Sequence, residues 1–417
     1  MKSLFANISL TNQFIFLVLI ISMFLGLYFG EDTGGGGSIG DYHQTWPIIQ
    51  NPFDITNLKI EFKFPLHYYI GALIYSITNS EIGYKIFCVL LSLSLPIIFF
   101  KCLEIKFPKI EKNNLFIISL ILLLLPNVRT AAIWPNTQLT GFFFFLLSTY
   151  YLILFETQKN LKKFNKELML SLFFLALAVY SRQIFALIYL YVMFYLFQKF
   201  SLSNFIKISI IVFIFAIPGI INIFYVPRIL SNSFSLNLQN SILVNLSIIS
   251  FYLIPIYFLA YFLKIYKIKF NYSNAILLIV STIIIFFLSK YFNYNYKLGG
   301  GFFMKLSLLI NNNFFLFFIS SIIGLFLIYN LSNLNINNYI ISLLIVLGIA
   351  SSNIPQKYFE PMMFLLIFLF YDNKLIENFL KQKKAVFFMF LFYCLYYFTS
   401  VVNVIYKIKE KVILNII

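Results

Sequence analysis

Residues 208–225 read ISIIVFIFAIPGIINIFY, eighteen positions without a charge. As α-helix, at about 1.5 Å per residue, such a run covers most of the ~30 Å hydrocarbon core of a bilayer. Residues 14–28, 115–125, 275–288 and 386–402 have the same character. Over 417 residues the chain is 61% hydrophobic, 20% aromatic and only 11% charged, far from the roughly 25% charged residues of a soluble globular chain. The fold class is therefore all-α and polytopic in a membrane.

Hydropathy places spans near residues 10–29, 84–101, 114–127, 138–155, 167–181, 183–199, 205–225, 244–266, 274–290, 313–331, 338–352, 359–371 and 385–405, a bundle of about 13 helices. The stretch 66–79 is marginal in length and is read as a helix lying in the interface. With that choice the clusters Lys101/Lys106/Lys109/Lys112, Lys159/Lys162/Lys163/Lys166, Lys264/Lys267/Lys269 and Lys374/Lys381/Lys383/Lys384 all face the cytoplasm, as the positive-inside rule requires. The N-terminus is then inside and the C-terminus outside, with the tail Lys407/Lys409/Lys411 against the rule. The net charge of +17 is accounted for by these clusters and does not call for nucleic acid. The first run has a weak basic start and no small-residue cleavage pattern, so it is expected to be a retained span. Cys88, Cys102 and Cys394 show neither disulfide nor metal spacing. With no internal repeat or soluble segment, residues 1–417 are expected to form a single membrane domain.

The polar centre is the first outward loop, 31–65. Five of the fourteen acidic residues lie there, Glu31, Asp32, Asp41, Asp54 and Glu61, together with His43 and Trp46, and His67 follows it. Asp41-Tyr42-His43-Gln44, behind the Gly34–Ser38 run, has two readings. Asp41 is either a general base for an incoming hydroxyl or the N-cap of an interfacial helix over 42–49. Of 31 basic residues only Arg129, Arg182 and Arg228 are arginine, and all three fall at outward span ends or loops, where a bidentate ligand for phosphate or carboxylate would be useful. Arg129 lies in an outward turn with Trp134, which also fits an interface anchor. Arg182-Gln183 interrupts apolar residues and so needs solvent, a partner or a polar cavity. Lys297 precedes Gly299-Gly300-Gly301, either a phosphate loop or a flexible turn. Lys357-Tyr358 stands beside Glu360 at the edge of a span, where Lys357 either holds an anion or snorkels to head groups.

Taken in order, these motifs resemble the GT-C glycosyltransferases, multi-span enzymes that use polyprenyl-phosphate sugars. Within them the chain most resembles the α-1,2-glucosyltransferases that add the last glucose to the lipid-linked N-glycan precursor. The resemblance runs over nearly the full length and is carried by Asp41 to Gln44, Phe64-Pro65-Leu66-His67-Tyr68-Tyr69, Arg182-Gln183 and Lys357-Tyr358-Phe359 with Pro361. The chain has Asp41 alone where the family shows two adjacent acidic residues, and Phe64-Pro65-Leu66 where it prefers Pro-Pro-Gly. The resemblance implies a GT-C-like fold with its catalytic outward loop at about 30–83. It also implies inverting transfer of a glucose-like hexose to a glycan or lipid-linked glycan acceptor on the non-cytoplasmic face, with Asp41 as base. His43, Gln44, Arg129, Arg182, Gln183, Lys297, Lys357 and Tyr358 would bind substrate. No cofactor is expected, though a divalent metal is compatible, and the partners are donor, acceptor and bilayer. The location would be the inner membrane of a bacterium or the endoplasmic reticulum membrane of a eukaryote. A polysaccharide polymerase or ligase, and a transporter or flippase, are the alternative functions.

Overall fold

The computed structural model describes residues 8–34, 38–54, 63–158, 164–226, 237–265, 272–295, 299–332, 335–351 and 353–414. Among them there are helices and turns and no strand. In chain order the helices are α1 (Leu10–Phe29), α2 (Ser38–Gln50), α3 (Leu66–Thr78), α4 (Glu81–Lys106), α5 (Lys112–Leu120), α6 (Pro126–Ile133), α7 (Thr137–Glu156), α8 (Lys166–Ser181), α9 (Ala186–Lys199), α10 (Leu202–Tyr225), α11 (Leu238–Phe262), α12 (Tyr272–Ser289), α13 (Gly301–Asn311), α14 (Phe315–Ser332), α15 (Ile336–Gly348), α16 (Met362–Leu369), α17 (Lys374–Lys381) and α18 (Lys383–Leu414).

Seven of these helices are long and apolar enough to cross a bilayer, and eight if one bent pair counts as a single span. This makes the chain a multi-pass membrane protein with fewer full-length crossings than the thirteen apolar runs of the sequence. The difference is one of helix length. α15 has only 13 residues and α16 only 8, well short of the ~20 that span hydrocarbon. The run 114–127 breaks at Leu125, whose extended backbone (ψ 119°) precedes Pro126, and the two halves meet at 59°. A residue before proline is driven out of the helical region, so the break is written in the sequence. α3, at 13 residues, is also too short to span.

The chain divides into two compact units that interleave in sequence: residues 1–185, 196–229 and 390–417 form one, and 186–195 with 230–389 the other. In the first unit α7 packs most extensively on α8, with Tyr151 and Phe174 stacked at 5.6 Å and Ser148 meeting Ser171 at 3.3 Å. α10 leaves most of its length uncovered, with Ile210, Phe213 and Ile214 more than half exposed. Such a surface would aggregate in water and is at home against acyl chains.

In the second unit α11 is the hub, buried along most of its length. It packs on α14 through small residues: Ser247 and Ser320 share a hydrogen bond of 2.6 Å, Ser321 donates to the carbonyl of Leu243 at 3.0 Å, and Gly324 lies directly against the Leu246 backbone. Small residues let two backbones approach closely, the packing membrane helices favour. The Asn245 side chain donates to the carbonyls of Val346 and Ile349 at 2.8 and 3.0 Å, satisfying acceptors at the end of α15.

Candidate functional site

The first unit carries the Asp41 stretch on the start of α2. That helix begins at Ser38, so Asp41 lies in its first turn and not at an N-cap. A carboxylate there is favoured by the positive end of the helix dipole by only about 0.3–1 kcal/mol. Asp41 is half-buried, while His43 and Gln44 are exposed. Pro47 sits inside the helix and has no N–H to offer the carbonyl one turn back, that of His43.

Beneath these polar groups lies a set of aromatic rings. Tyr42 is fully buried and meets Trp46 at 5.6 Å and Trp134 at 5.7 Å, and Trp46 in turn meets Tyr75 at 5.2 Å and Tyr84 at 6.3 Å. His43 lies 6.1 Å from Trp134. The Lys85 ammonium stands 4.7 Å from the Tyr42 ring centre and 4.3 Å from that of Trp134, and pairs with Glu81 at 2.8 Å. The sequence reading missed Glu81 and Lys85 as members of this site. Their signal was the i, i+4 acid–base pair following the Ser80 cap of α4. Burial pushes the Tyr42 phenol up, and the negative charge of Glu81 adds to the effect, so Tyr42 stays a neutral hydroxyl.

His67 supports this set from below. It is buried, with Nδ1 2.7 Å from the Thr140 hydroxyl and Nε2 3.0 Å from that of Tyr84. Burial, with a smaller contribution from Lys63, lowers its pKa to about 3. The imidazole is thus held neutral.

Arg129 has a different place from the one its sequence position implied. It is fully buried and grips Glu31 with two bonds of 2.7 Å, from Nε to Oε1 and from Nη2 to Oε2. Nη2 also donates to the Ser22 carbonyl at 3.0 Å and Nη1 to that of Leu123 at 3.4 Å. The Tyr397 ring lies 4.4 Å from the guanidinium, and its hydroxyl donates to Glu31 at 3.2 Å. Thr33 donates to the other Glu31 oxygen at 3.1 Å. Glu31 reaches this position because Gly30, at φ 65°, ends α1 in the left-handed region and turns the chain back. With its guanidinium committed to this set, Arg129 is a strut between the first loop, α1, α6 and α18.

Arg182 caps the end of α8 in an extended conformation and is half-buried, with Nη1 donating to Thr137 at 3.3 Å; Gln183 opens the short 3-10 turn that follows. Lys357 and Tyr358 lie half-buried on a 3-10 turn of the second unit. There the glycine run is structural: Gly300 adopts φ 92°, its N–H donates to Ile354 at 3.0 Å, and Gln356 accepts from Phe302 at 2.9 Å. The run thus fastens the start of α13 to the segment before Lys357. Lys297, Arg228 and Glu61 lie outside the described residues. No group of three His, Cys, Asp or Glu residues able to hold a metal ion occurs among the described residues. No family model matches the chain, and comparison with curated proteins and with solved structures gave no match.

Proposed function

We propose that the chain is a membrane glycosyltransferase of GT-C type, moving a glucose-like hexose from a polyprenyl-phosphate donor to a hydroxyl of a glycan or lipid-linked glycan. The observation that carries this reading is the surround of Asp41. A half-buried carboxylate shares one helix with exposed His43 and Gln44 and with the partly exposed ring of Trp46. Hydroxyls of a sugar find donors and acceptors there, and its apolar face finds an aromatic surface. The site sits in the loop between α1 and α4, both long enough to cross a bilayer, which suits a donor whose lipid tail stays in the membrane.

In the proposed step Asp41 accepts the proton of the acceptor O–H as that oxygen bonds to the anomeric carbon. The bond from that carbon to the phosphate oxygen breaks, the phosphate leaves with the electron pair, and the anomeric configuration inverts. Arg182 is the cation of this unit best suited to the leaving phosphate, since its guanidinium offers paired donors. Arg129 is not given that role, because its guanidinium is engaged with Glu31.

The test is transfer from radiolabelled polyprenyl-phosphate hexoses by the protein in nanodiscs. Asp41→Asn should insert and fold normally yet lose roughly 10²- to 10⁴-fold in rate, while Asp54→Asn keeps most activity. Near wild-type transfer by a folded Asp41→Asn protein rules out Asp41 as the base. Failure of the wild-type protein to use any polyprenyl-phosphate sugar removes the transferase reading and returns the polymerase and transporter alternatives.

A further inference from the structure

The second unit contains a cavity of about 450 Å³ that the reading above does not use, lined by five asparagines, Ser351 and Tyr294. It lies where three helix ends meet. Asn237 and Asn240 come from the start of α11, Asn293 and Tyr294 follow α12, and Ser351 and Asn353 follow α15. Its volume is within the ~300–1,000 Å³ usual for small-molecule sites.

Its frame is held by hydrogen bonds that make it a built feature. The Asn240 side chain donates to the carbonyl of Asn293 and accepts from the Asn293 N–H at 3.2 Å, a two-way clasp between α11 and the chain after α12. The Asn237 side chain accepts from the Asn240 N–H at 3.3 Å, and the Tyr294 hydroxyl accepts from the Ile354 N–H at 2.6 Å. Asn240 and Tyr294 are therefore committed to the frame. The side-chain amides of Asn293 and Asn353 make no hydrogen bond among the described residues.

Among the described residues the lining is polar and carries no charge. A primary amide offers two donors and an acceptor within one plane. The chemical partner of such a group is a hydroxyl, which also donates and accepts. We propose that this cavity binds a neutral polyhydroxyl ligand of about one hexose unit, with Asn293 and Asn353 bonding its hydroxyls. The inference stands on the second unit alone and does not depend on the role given to Asp41.

Saturation-transfer NMR on the protein in nanodiscs tests it, with methyl α-glucopyranoside, methyl α-mannopyranoside and glucose 6-phosphate as probes. At least one neutral glycoside should receive saturation above empty nanodiscs, and the phosphate ester should receive less. Asn293→Ala/Asn353→Ala should weaken binding about five-fold or more, through loss of two amide contacts. The signal that is lost in Asn293→Ala/Asn353→Ala and kept in Trp46→Ala belongs to this site, which separates it from the transferase reading. If the double variant fails to fold, Asn353→Ala alone serves, with a smaller loss. The proposal is overturned if neither glycoside gives a signal, if the folded variant binds as the wild type does, or if glucose 6-phosphate binds better than the neutral sugars.

Discussion

Replacing Glu31 by glutamine tests whether the Glu31–Arg129 pair holds the first unit together. Arg129 has no exposed surface and Glu31 only 12% of its side chain, so solvent does little to screen either charge. Glu31→Gln keeps the volume and one acceptor but leaves the guanidinium buried without its counter-charge. Removing one partner of a buried pair costs about 3–5 kcal/mol, and the loss falls on contacts joining α1, α6, the first loop and α18. Its bonds to Ser22 and Leu123 remain in this variant and keep the cost toward the lower end. At ~2–4 °C per kcal/mol for a domain of this size, the melting temperature in detergent should fall by on the order of 10 °C. Arg129→Lys retains the charge but not the paired donors, and should cost less. The double variant Glu31→Leu/Arg129→Met removes both charges and should recover much of the loss, since well-packed apolar groups often replace a buried pair at little cost. A Glu31→Gln protein that melts within about 1 kcal/mol of the wild type would refute this account. So would an Arg129→Lys protein of unchanged stability that has lost its use of donor, because the arginine would then be serving a ligand.

Gly324→Leu should prevent stable assembly of the second unit, because the new side chain enters the space of the Leu246 backbone on α11, which cannot turn aside; gel filtration after detergent extraction reads the loss as aggregation. His67, with its pKa lowered from 6.5 to about 3 by burial, binds its proton less readily folded than unfolded. Its contribution is complete above about pH 6.5 and is lost as pH falls toward 3, at up to ~1.4 kcal/mol per unit; melting curves across that range should show an acid limb that is shallower in His67→Gln. Trp46→Ala should raise the acceptor KM roughly 2- to 10-fold with little change in kcat, as expected if the ring binds sugar without entering the chemistry. Equal loss in kcat would place it in the transition state instead.

What could be read from the sequence was whatever depends on local order. The uncharged run 208–225 becomes part of α10 with its apolar face uncovered, and the Asp41–Gln44 stretch after α1 lies on a short helix, α2. The break at Leu125 was equally legible from Pro126: hydropathy ended the span at 127 and placed Arg129 in a turn, where the structure has the helix α6. Averaging over a window hid the short helices α15 and α16, because a run of apolar residues states a preference for lipid or core and not whether the helix continues through it.

Arg129 shows where the local argument fails. Its scarcity and its outward position described an anion ligand, but the anion proved to be Glu31, 98 positions earlier in the chain. An arginine near a membrane surface must satisfy its guanidinium somewhere, and sequence distance says nothing about which carboxylate arrives first. Glu31 arrives because Gly30 turns the end of α1 back toward α6, a consequence of two helix ends that no spacing rule joins. The same geometry separates the acids of the first loop by role. Glu31 is engaged in holding the fold, whereas Asp41 stands in the first turn of α2 beside exposed His43 and Gln44, the position from which we propose that it acts as the base.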